Sequence, residues 1–580
     1  MLLWKYLDVA MLSQVLGVTN GIATVTNEIA GKLFRVSFYH YGSSTRLFWV
    51  SVSAAEQRTL GNLKPAECPY IPQCLTGTRK EKLAMIDDWA SDINAPNILW
   101  LSGSPGAGKS AIASTVASTL RERKRLGSRF FFKSGDETLG NPASLWRTVA
   151  FDLARFDSAI KKFIIAALKE DKVDLEGGSV ELHFKYLINQ PLEKKRGRPS
   201  TNPTVIIVDA LDECGPDGSP ERKLLLRTLK DWSRLPASFK LLVTSRDEHD
   251  IRQSLQNVSQ HIGLPTGELV ELEASNDISL FFRCQFAEII PSYPALSDSW
   301  PGEATIERLT KRSAGLFIWA QTVMKFMLEG GPEDQLALVL NGNEEGANID
   351  LLYKKILEHS FRKIGRHVLD AFPIIVGAVI LAKTPLSRED LKCLLGSVPE
   401  VTSLDFILNK LSSVISTGEN DKLLRISHKS FADFLTDPLT GPERCPKSFV
   451  IDPKQLNLRL AQLCVRTMIH GLRFNICHLE TSYLFNDEVP DLPSRIQSAI
   501  PPHMSYSCCF WGQHLQVTSN ANPEAKILFA DIKFFLHNHS LYWLEVLSLI
   551  KEVSVAIPTL LSVAQWVQVG FSMLYYTNRD

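Results

Sequence analysis

The sequence predicts an α/β architecture, a parallel sheet with flanking helices, followed by a long helical second half. Three observations predict it. Short apolar runs bounded by turn-forming or polar residues recur at Ile98–Leu101, Val205–Val208 and Leu241–Thr244, as strands buried on both faces require. Stretches of helical periodicity separate these runs, the order that builds a parallel sheet. Beyond about Leu264 the strand signal fades, and the chain reads as helices to its end.

Taken in order, Met1 to Pro72 is weakly patterned, with a helix expected near the start and a strand-like stretch at Phe34–Tyr39; no function is assigned to it. Met1–Leu16 is interrupted by Lys5 and Asp8, so no signal peptide is expected. From Arg79 the spacing of Leu83, Ile86 and Trp89 predicts a helix that ends in the turn-forming Asn94–Asn97. The first strand follows, then a glycine-rich loop, then Ile112, Val116 and Leu120 at helical spacing. The second strand runs into Asp209 and the third into Ser245-Arg246-Asp247, at the strand ends where such sheets bind ligands. Phe372–Ala382 is too short to span a bilayer and reads as a buried helix. Val553–Asn578 carries no charge, but Pro558, Gln565 and Gln568 favour packed helices, with membrane association as the alternative. No repeat of fixed period is visible before Asp580.

A chain of 580 residues supports several domains. With 45% hydrophobic and 22% charged residues it is of ordinary globular composition, and 63 basic against 63 acidic residues give no field that would draw it to nucleic acid or acidic lipid. Ten cysteines without a CxxC pair suit a reducing compartment, so a cytoplasmic location is expected. Cys464, His470, Cys477 and His478 match no zinc spacing and read as core residues.

The chemistry concentrates in Gly103-Ser104-Pro105-Gly106-Ala107-Gly108-Lys109-Ser110, followed by Ala111, which fits the phosphate-loop pattern GxxxxGK[ST]. Closely spaced glycines let backbone N–H groups wrap phosphates, and the next helix adds its positive end. Lys109 is then expected on the β- and γ-phosphates and Ser110 on Mg²⁺, with Asp209 as the acidic anchor for the ion. Asp212 and Glu213 lie within a turn of Asp209. One of them can face the ion's water shell while the other orients or deprotonates an attacking water, the alternative being a solvated acidic turn. Arg246 is placed to sense the γ-phosphate, unless it forms only a surface salt bridge. The phosphate motifs do not separate ATP from GTP. The basic run Lys194-Lys195-Arg196-Gly197-Arg198-Pro199 is expected to be a solvated loop; the alternative is a minor-groove contact, which would make the chain a DNA-associated ATPase.

Five segments in combination carry a resemblance to a known family: Cys74–Arg79, the loop ending in Gly108-Lys109-Ser110, Ile207–Cys214, Thr244-Ser245-Arg246, and Ala314–Ala320. Together they resemble the NACHT NTPases of filamentous fungi, a group of nephrocystin-like N-terminal domains within the signal-transduction ATPases with numerous domains. The similarity spans about Cys74 to Ile557. It implies a nucleotide-dependent signalling switch with slow NTP hydrolysis, closed with diphosphate and open with triphosphate, in non-self recognition or programmed cell death. It further implies nucleotide-dependent homo-oligomers or association with related receptors, and leaves open a decoy that pairs with a repeat-bearing relative. A winged-helix domain would follow the NTPase, with Ile426–Leu435 resembling its histidine-bearing segment, so that His428 contacts the β-phosphate in the closed state; the alternative is a satisfied structural histidine. Where related receptors place a proline after a Gly-Leu-type pair to contact the base, this chain has Phe317, and family members usually end in sensor repeats that are not visible here. The expected division is 1–72, an NTPase core at 73–265, a helical subdomain at 266–345, a winged-helix-like domain at 346–445 and a helical region at 446–580.

Overall fold

The computed structural model describes residues 52–577, apart from 135, 137, 171–172, 176–178, 196–201, 216–217, 342–348, 363, 397–398, 419–421, 438–443, 482 and 519–522. The helix expected near the start, the strand-like Phe34–Tyr39 and the Arg196–Pro199 part of the basic run lie outside the described residues.

Five strands form one sheet: β1 (Ile98–Gly103), β2 (Leu126–Phe131), β3 (Thr204–Asp209), β4 (Phe239–Ser245) and β5 (Ser259–Leu264). Their order is β2-β3-β4-β1-β5 and every pairing is parallel. Side chains alternate between two cores as the pleat demands. Ile98, Trp100, Ile206, Val208, Leu241 and Val243 face α3 (Pro142–Phe156) and α4 (Pro220–Asp231), introduced here after α1 (Lys80–Ser91) and α2 (Lys109–Glu122). Leu99, Leu101, Val205, Ile207 and Leu242 face α1 and α2, which contribute Ile86, Trp89, Ile112 and Leu120. The fold is therefore the expected α/β P-loop NTPase architecture, with helices covering both faces of a parallel sheet.

β2 and β5 were not among the strands the sequence predicts. Both are edge strands. β5 leaves His261 and Gly263 exposed, and β2 reads Leu-Gly-Ser-Arg-Phe-Phe, so neither presents a bounded apolar run. Gly127 in β2 answers a close approach, since a Cβ there would lie 2.6 Å from the Thr204 methyl.

After β5 the chain turns helical. α5 (Leu272–Ile289) and α6 (Phe317–Met327) share a core with Phe282, Phe286, Trp319 and Val323 at its centre. Next come α7 (Ile349–Ser360), α8 (Arg366–Leu381), an antiparallel hairpin of β6 (Ile415–Thr417) and β7 (Leu424–Ile426), and α9 (Lys429–Thr436). The hairpin corrects the expectation of helices alone beyond Leu264: strands of three residues are too short to register as a period. α8 holds the apolar run Phe372–Leu381 as a buried helix.

A separate core, begun by α7, α8 and α9, continues through α10 (Pro453–Gly471), α11 (Pro502–Gln516) and α12 (Ala556–Thr577). α11 and α12 cross closely, because a Cβ on Gly512 would come 2.6 Å from the Thr559 methyl, and Trp566 Nε1 donates to Thr518 Oγ1 at 3.0 Å. Among the described residues no helix is long and apolar enough to cross a membrane. Cys464 and Cys477 are buried in this core as free thiols, and no cluster of three or more His, Cys, Asp or Glu side chains that could hold a metal ion is found among the described residues.

Leu242, fully buried at the centre of the sheet, gives a direct check on this packing. Leu242→Ala is expected to destabilise the NTPase core by about 2–5 kcal/mol, read as a shift of its urea unfolding transition.

Candidate functional site

The site assembles at the carboxyl ends of β1, β3 and β4. β1 ends at Gly103, where a Cβ would lie 2.9 Å from the Leu264 Cβ, so the loop leaves the sheet against β5 without a side chain. Gly106 (φ +80°) and Gly108 (φ +95°) adopt left-handed backbone, and Gly108 sits at the N-cap of α2. The first N–H groups of α2 have no intrahelical partner, which leaves a concave set of donors facing the cleft. Lys109 Nζ folds back over the loop, donating to the Gly103 carbonyl at 2.7 Å and to the Ser104 carbonyl at 3.0 Å. Burial lowers the pKa of this ammonium, against the pull of Asp212 and Asp209.

Asp209, at the tip of β3, is 1% exposed. Its carboxylate accepts hydrogen bonds from the hydroxyls of Thr244 and Ser110, yet burial raises its pKa despite both bonds and the nearby Lys109. The chain then turns sharply at Ala210 (φ +54°), a left-handed conformation held by its N–H donating to Thr244 Oγ1 at 3.0 Å. That turn places the next two carboxylates differently. Asp212 accepts from the Arg246 backbone N–H at 3.0 Å and pairs with its Nε at 3.1 Å, while its own carbonyl takes the buried Arg222 at 3.0 Å. Glu213 accepts from the Ser134 N–H at 2.8 Å; burial raises its carboxyl pKa, with Lys429 working the other way. Asp212 and Glu213 are thus not a solvated acidic turn.

Arg246 reaches out of the core. Its Nη2 donates to Asp433 on α9 at 3.0 Å, so one guanidinium bridges a carboxylate from the sheet and one from the second half of the chain. Burial works against this cation, but Asp433 and Asp212 outweigh it and raise its pKa. The pair with Asp433 is a partly exposed salt bridge, and it spans two regions of the chain. His428 caps α9: its Nδ1 accepts from the Ser430 N–H at 3.1 Å and lies 2.8 Å from the Ser430 hydroxyl. The ring is pushed down to about 4 by burial and by the cations of Lys109 and Arg246, with Asp212 opposing and Lys429 adding to the effect. The residues predicted for the phosphate site, Gly103–Ala111, Asp209, Asp212, Glu213, Arg246 and His428, therefore lie in one locality.

Four further contributors lie in segments that carry the resemblance but are given no role in the site by the sequence. Thr244 ties β4 to Asp209, and Asp433 and Lys429 complete the face that α9 presents. The fourth is the start of α6. Ile318 N–H donates to the Gly106 carbonyl at 3.1 Å, and a Cβ on Gly106 would lie 1.9 Å from the Ile318 Cγ2, so the helical subdomain rests directly on the loop. No local pattern announces such a contact between segments more than two hundred residues apart.

The chemistry of the donor set fits a polyphosphate with a divalent ion. The glycine cradle has no room for a Cβ at Gly103 or Gly106, an ammonium lies over it, and a hydroxyl and a carboxylate, Ser110 and Asp209, are already in contact at its edge.

Residues 78–246 match the family described as Nephrocystin 3, N-terminal, a stretch that begins at Thr78 and closes on Arg246. The chain is also 24% identical over 477 residues to vegetative incompatibility protein HET-E-1 of Podospora anserina, covering 79% of this chain and 33% of that protein. It thus spans about a third of the length of this curated relative. A signal transduction ATPase with numerous domains from Pyrococcus horikoshii, which carries a tetratricopeptide repeat sensor, aligns over 88% of this chain and 66% of that one, at 14% identity and a TM-score of 0.37. A walker-type ATPase of Pyrococcus abyssi aligns over 62% and 97%, at 16% identity and a TM-score of 0.32. The family match and the fungal relative support a fungal NACHT-type NTPase, the resemblance that the motifs carry.

Two outcomes follow from this geometry. Gly106→Ala is expected to lower the melting temperature well beyond Gly267→Ala, because both positions have positive φ but nothing lies within 4 Å of the Cβ at Gly267. The second substitution then costs only the backbone strain, about 1–2 kcal/mol. For His428, the unfolded chain takes up a proton below the ordinary 6.5, whereas the folded protein resists it down to about 4. The stability supplied by the neutral ring is therefore lost as pH falls through that window. His428→Gln should reduce the difference in urea midpoint between the two ends of the window, relative to the parent chain.

Proposed function

We propose that the chain is a nucleotide-operated signalling switch of the NACHT type, which binds ATP or GTP with Mg²⁺, hydrolyses it slowly and reports its phosphate state to the helical regions. The observation that carries this reading is the meeting of Lys109, Asp209, Asp212 and Arg246 from the NTPase core with His428 and Asp433 from the cap and body of α9 around one glycine loop.

In this reading the α2 N-terminus and Lys109 hold the phosphates, and Ser110 and Asp209 hold Mg²⁺, which supplies charge neutralisation across the phosphate oxygens. The two acidic residues after Asp209 divide their work. Asp212 is committed to Arg246 on both its backbone and side chain, so it positions that arginine. Glu213 has its proton affinity raised by burial and is the better residue to orient or deprotonate a water. His428 accepts at Nδ1 from a backbone N–H, so the neutral ring carries its proton on Nε2, a donor suited to a phosphate oxygen. With Arg246 engaged by Asp212 and Asp433 together, this reading takes the described arrangement as the resting form, with the 346–445 region as a winged-helix-like cover. A triphosphate would compete for Arg246 and free α9, favouring self-association or association with related receptors. The relative is named for vegetative incompatibility, and a role in fungal non-self recognition or cell death is the corresponding proposal for this chain.

The test is to release and identify the nucleotide that co-purifies with the full chain. A diphosphate is expected from the parent and almost none from Lys109→Arg, which replaces a compact ammonium bonded to two loop carbonyls with a larger planar fork. Equal retention by Lys109→Arg would overturn the reading.

A further inference from the structure

Arg79 lies at the head of α1 with left-handed backbone (φ +57°), a conformation that costs energy for any residue with a side chain. Its N–H donates to Asp277 Oδ2 of α5 at 2.9 Å, and two residues on, the Glu81 N–H donates to Glu273 Oε1 at 2.8 Å. Carboxylates of the helical subdomain therefore cap a helix of the NTPase core. The Arg79 side chain runs the other way, 4% exposed, and its Nη2 donates to the Ala107 carbonyl within the glycine loop at 2.7 Å. Its Cζ lies 4.8 Å from the centre of the Phe317 ring, at the start of α6.

The charge of this arginine is incompletely balanced: burial disfavours the cation more than Asp277, Glu273 and Glu271 together favour it. Its Nε has no hydrogen-bond partner among the described residues, and the nearest carboxylate oxygen, Asp277 Oδ2, is 3.9 Å away and already accepts the backbone N–H. Glu271 is paired with Lys82 at 2.8 Å. A guanidinium does not shed its proton in compensation, and a buried cation needs a counter-charge. On the far side of the Ala107 carbonyl lies the cradle suited to a polyanion.

We propose that Arg79 is a positioning residue of the phosphate loop: a buried cation that holds the loop through Ala107, ties it to the helical subdomain through Asp277 and Phe317, and has its charge balanced by the polyphosphate on the loop's other side. The inference rests on the nucleotide reading above. It goes beyond that reading in making α5 and α6 sense occupancy through a residue that never touches the ligand.

The experiment follows the dissociation of a fluorescently labelled nucleoside diphosphate from the full chain, beside the melting temperature of the nucleotide-free protein, for Arg79→Gln, Arg79→Lys and Asp277→Asn. Arg79→Gln should release the diphosphate on the order of tenfold faster or more, in the range found when supporting ligand contacts are removed. Arg79→Lys keeps the charge without the fork and should fall between. Asp277→Asn still offers an oxygen to the Arg79 N–H but withdraws a negative charge. It should lower the nucleotide-free melting temperature while slowing release or leaving it unchanged. If Asp277→Asn instead quickens release as far as it lowers the melting temperature, Arg79 is only a structural strut, and the inference fails. It fails equally if Arg79→Gln releases at the parent's rate. Should Arg79→Gln not fold, Asp277→Asn and Arg79→Lys decide by the same signs. A parent chain that holds no nucleotide would sink the switch reading as well, whereas a parent that holds it beside an indifferent Arg79→Gln would sink this inference alone.

Discussion

The structure around the cleft depends on one constraint: Asp209 carries a carboxylate into the interior at the end of a fully buried strand. Such a group must be hydrogen-bonded or discharged. Thr244 from the neighbouring strand and Ser110 from the following helix both donate to it, and Lys109 stands close by. Satisfying this carboxylate fixes the relative placement of β3, β4 and the head of α2, the three parts a phosphate site needs. The next turn is fixed by the same partner, since Thr244 also holds the left-handed Ala210. Beyond it, the fully buried Arg222 braces the Asp212 carbonyl and is itself neutralised by Asp250 and Glu248. Charge is thus brought to the cleft in balanced groups, each one locating the next.

Among the contacts that join this core to the rest of the chain, two differ sharply in strength. The α6 start against Gly106 is close packing around a backbone hydrogen bond, and it leaves no room for a methyl group. The bridge from Arg246 to α9 is a single pair whose Asp433 side chain is 39% exposed, and such pairs contribute about 0–1 kcal/mol. The first contact can carry strain; the second is weak enough to be exchanged for a better anion. A helical subdomain that moves with the loop and an α9 region that detaches from it are what those magnitudes favour.

The sequence disclosed the parts whose physics is local. The central strands are apolar because both faces are covered, the loop needs glycines at fixed spacing, and Asp209 stands at a strand tip, so each could be read from neighbouring residues. The edge strands β2 and β5 escaped because exposure on one side removes the apolar run. The β6–β7 hairpin escaped because three residues make no period. The site's completion by Asp433, Lys429 and Ile318 depends on contacts between distant segments, which no window of sequence contains. His428 came into view only through the resemblance of its segment, while its burial against Lys109 and Arg246 belongs to the fold.

Phe317 illustrates how such a departure becomes intelligible in three dimensions. The resemblance carried by the motifs implies a proline after the Gly-Leu-type pair to contact the base, so a phenylalanine looks like a loss. Here its ring covers the Arg79 guanidinium, and the negative face of an aromatic ring is one of the few surfaces that can accommodate a cation away from water. A proline offers no such face. The neighbouring Ile318 must keep its N–H for the Gly106 carbonyl, which bars a proline at that position. Arg79 and Phe317 are therefore a matched pair: the buried charge makes the ring necessary, and the ring in turn carries the position of α6 to the loop.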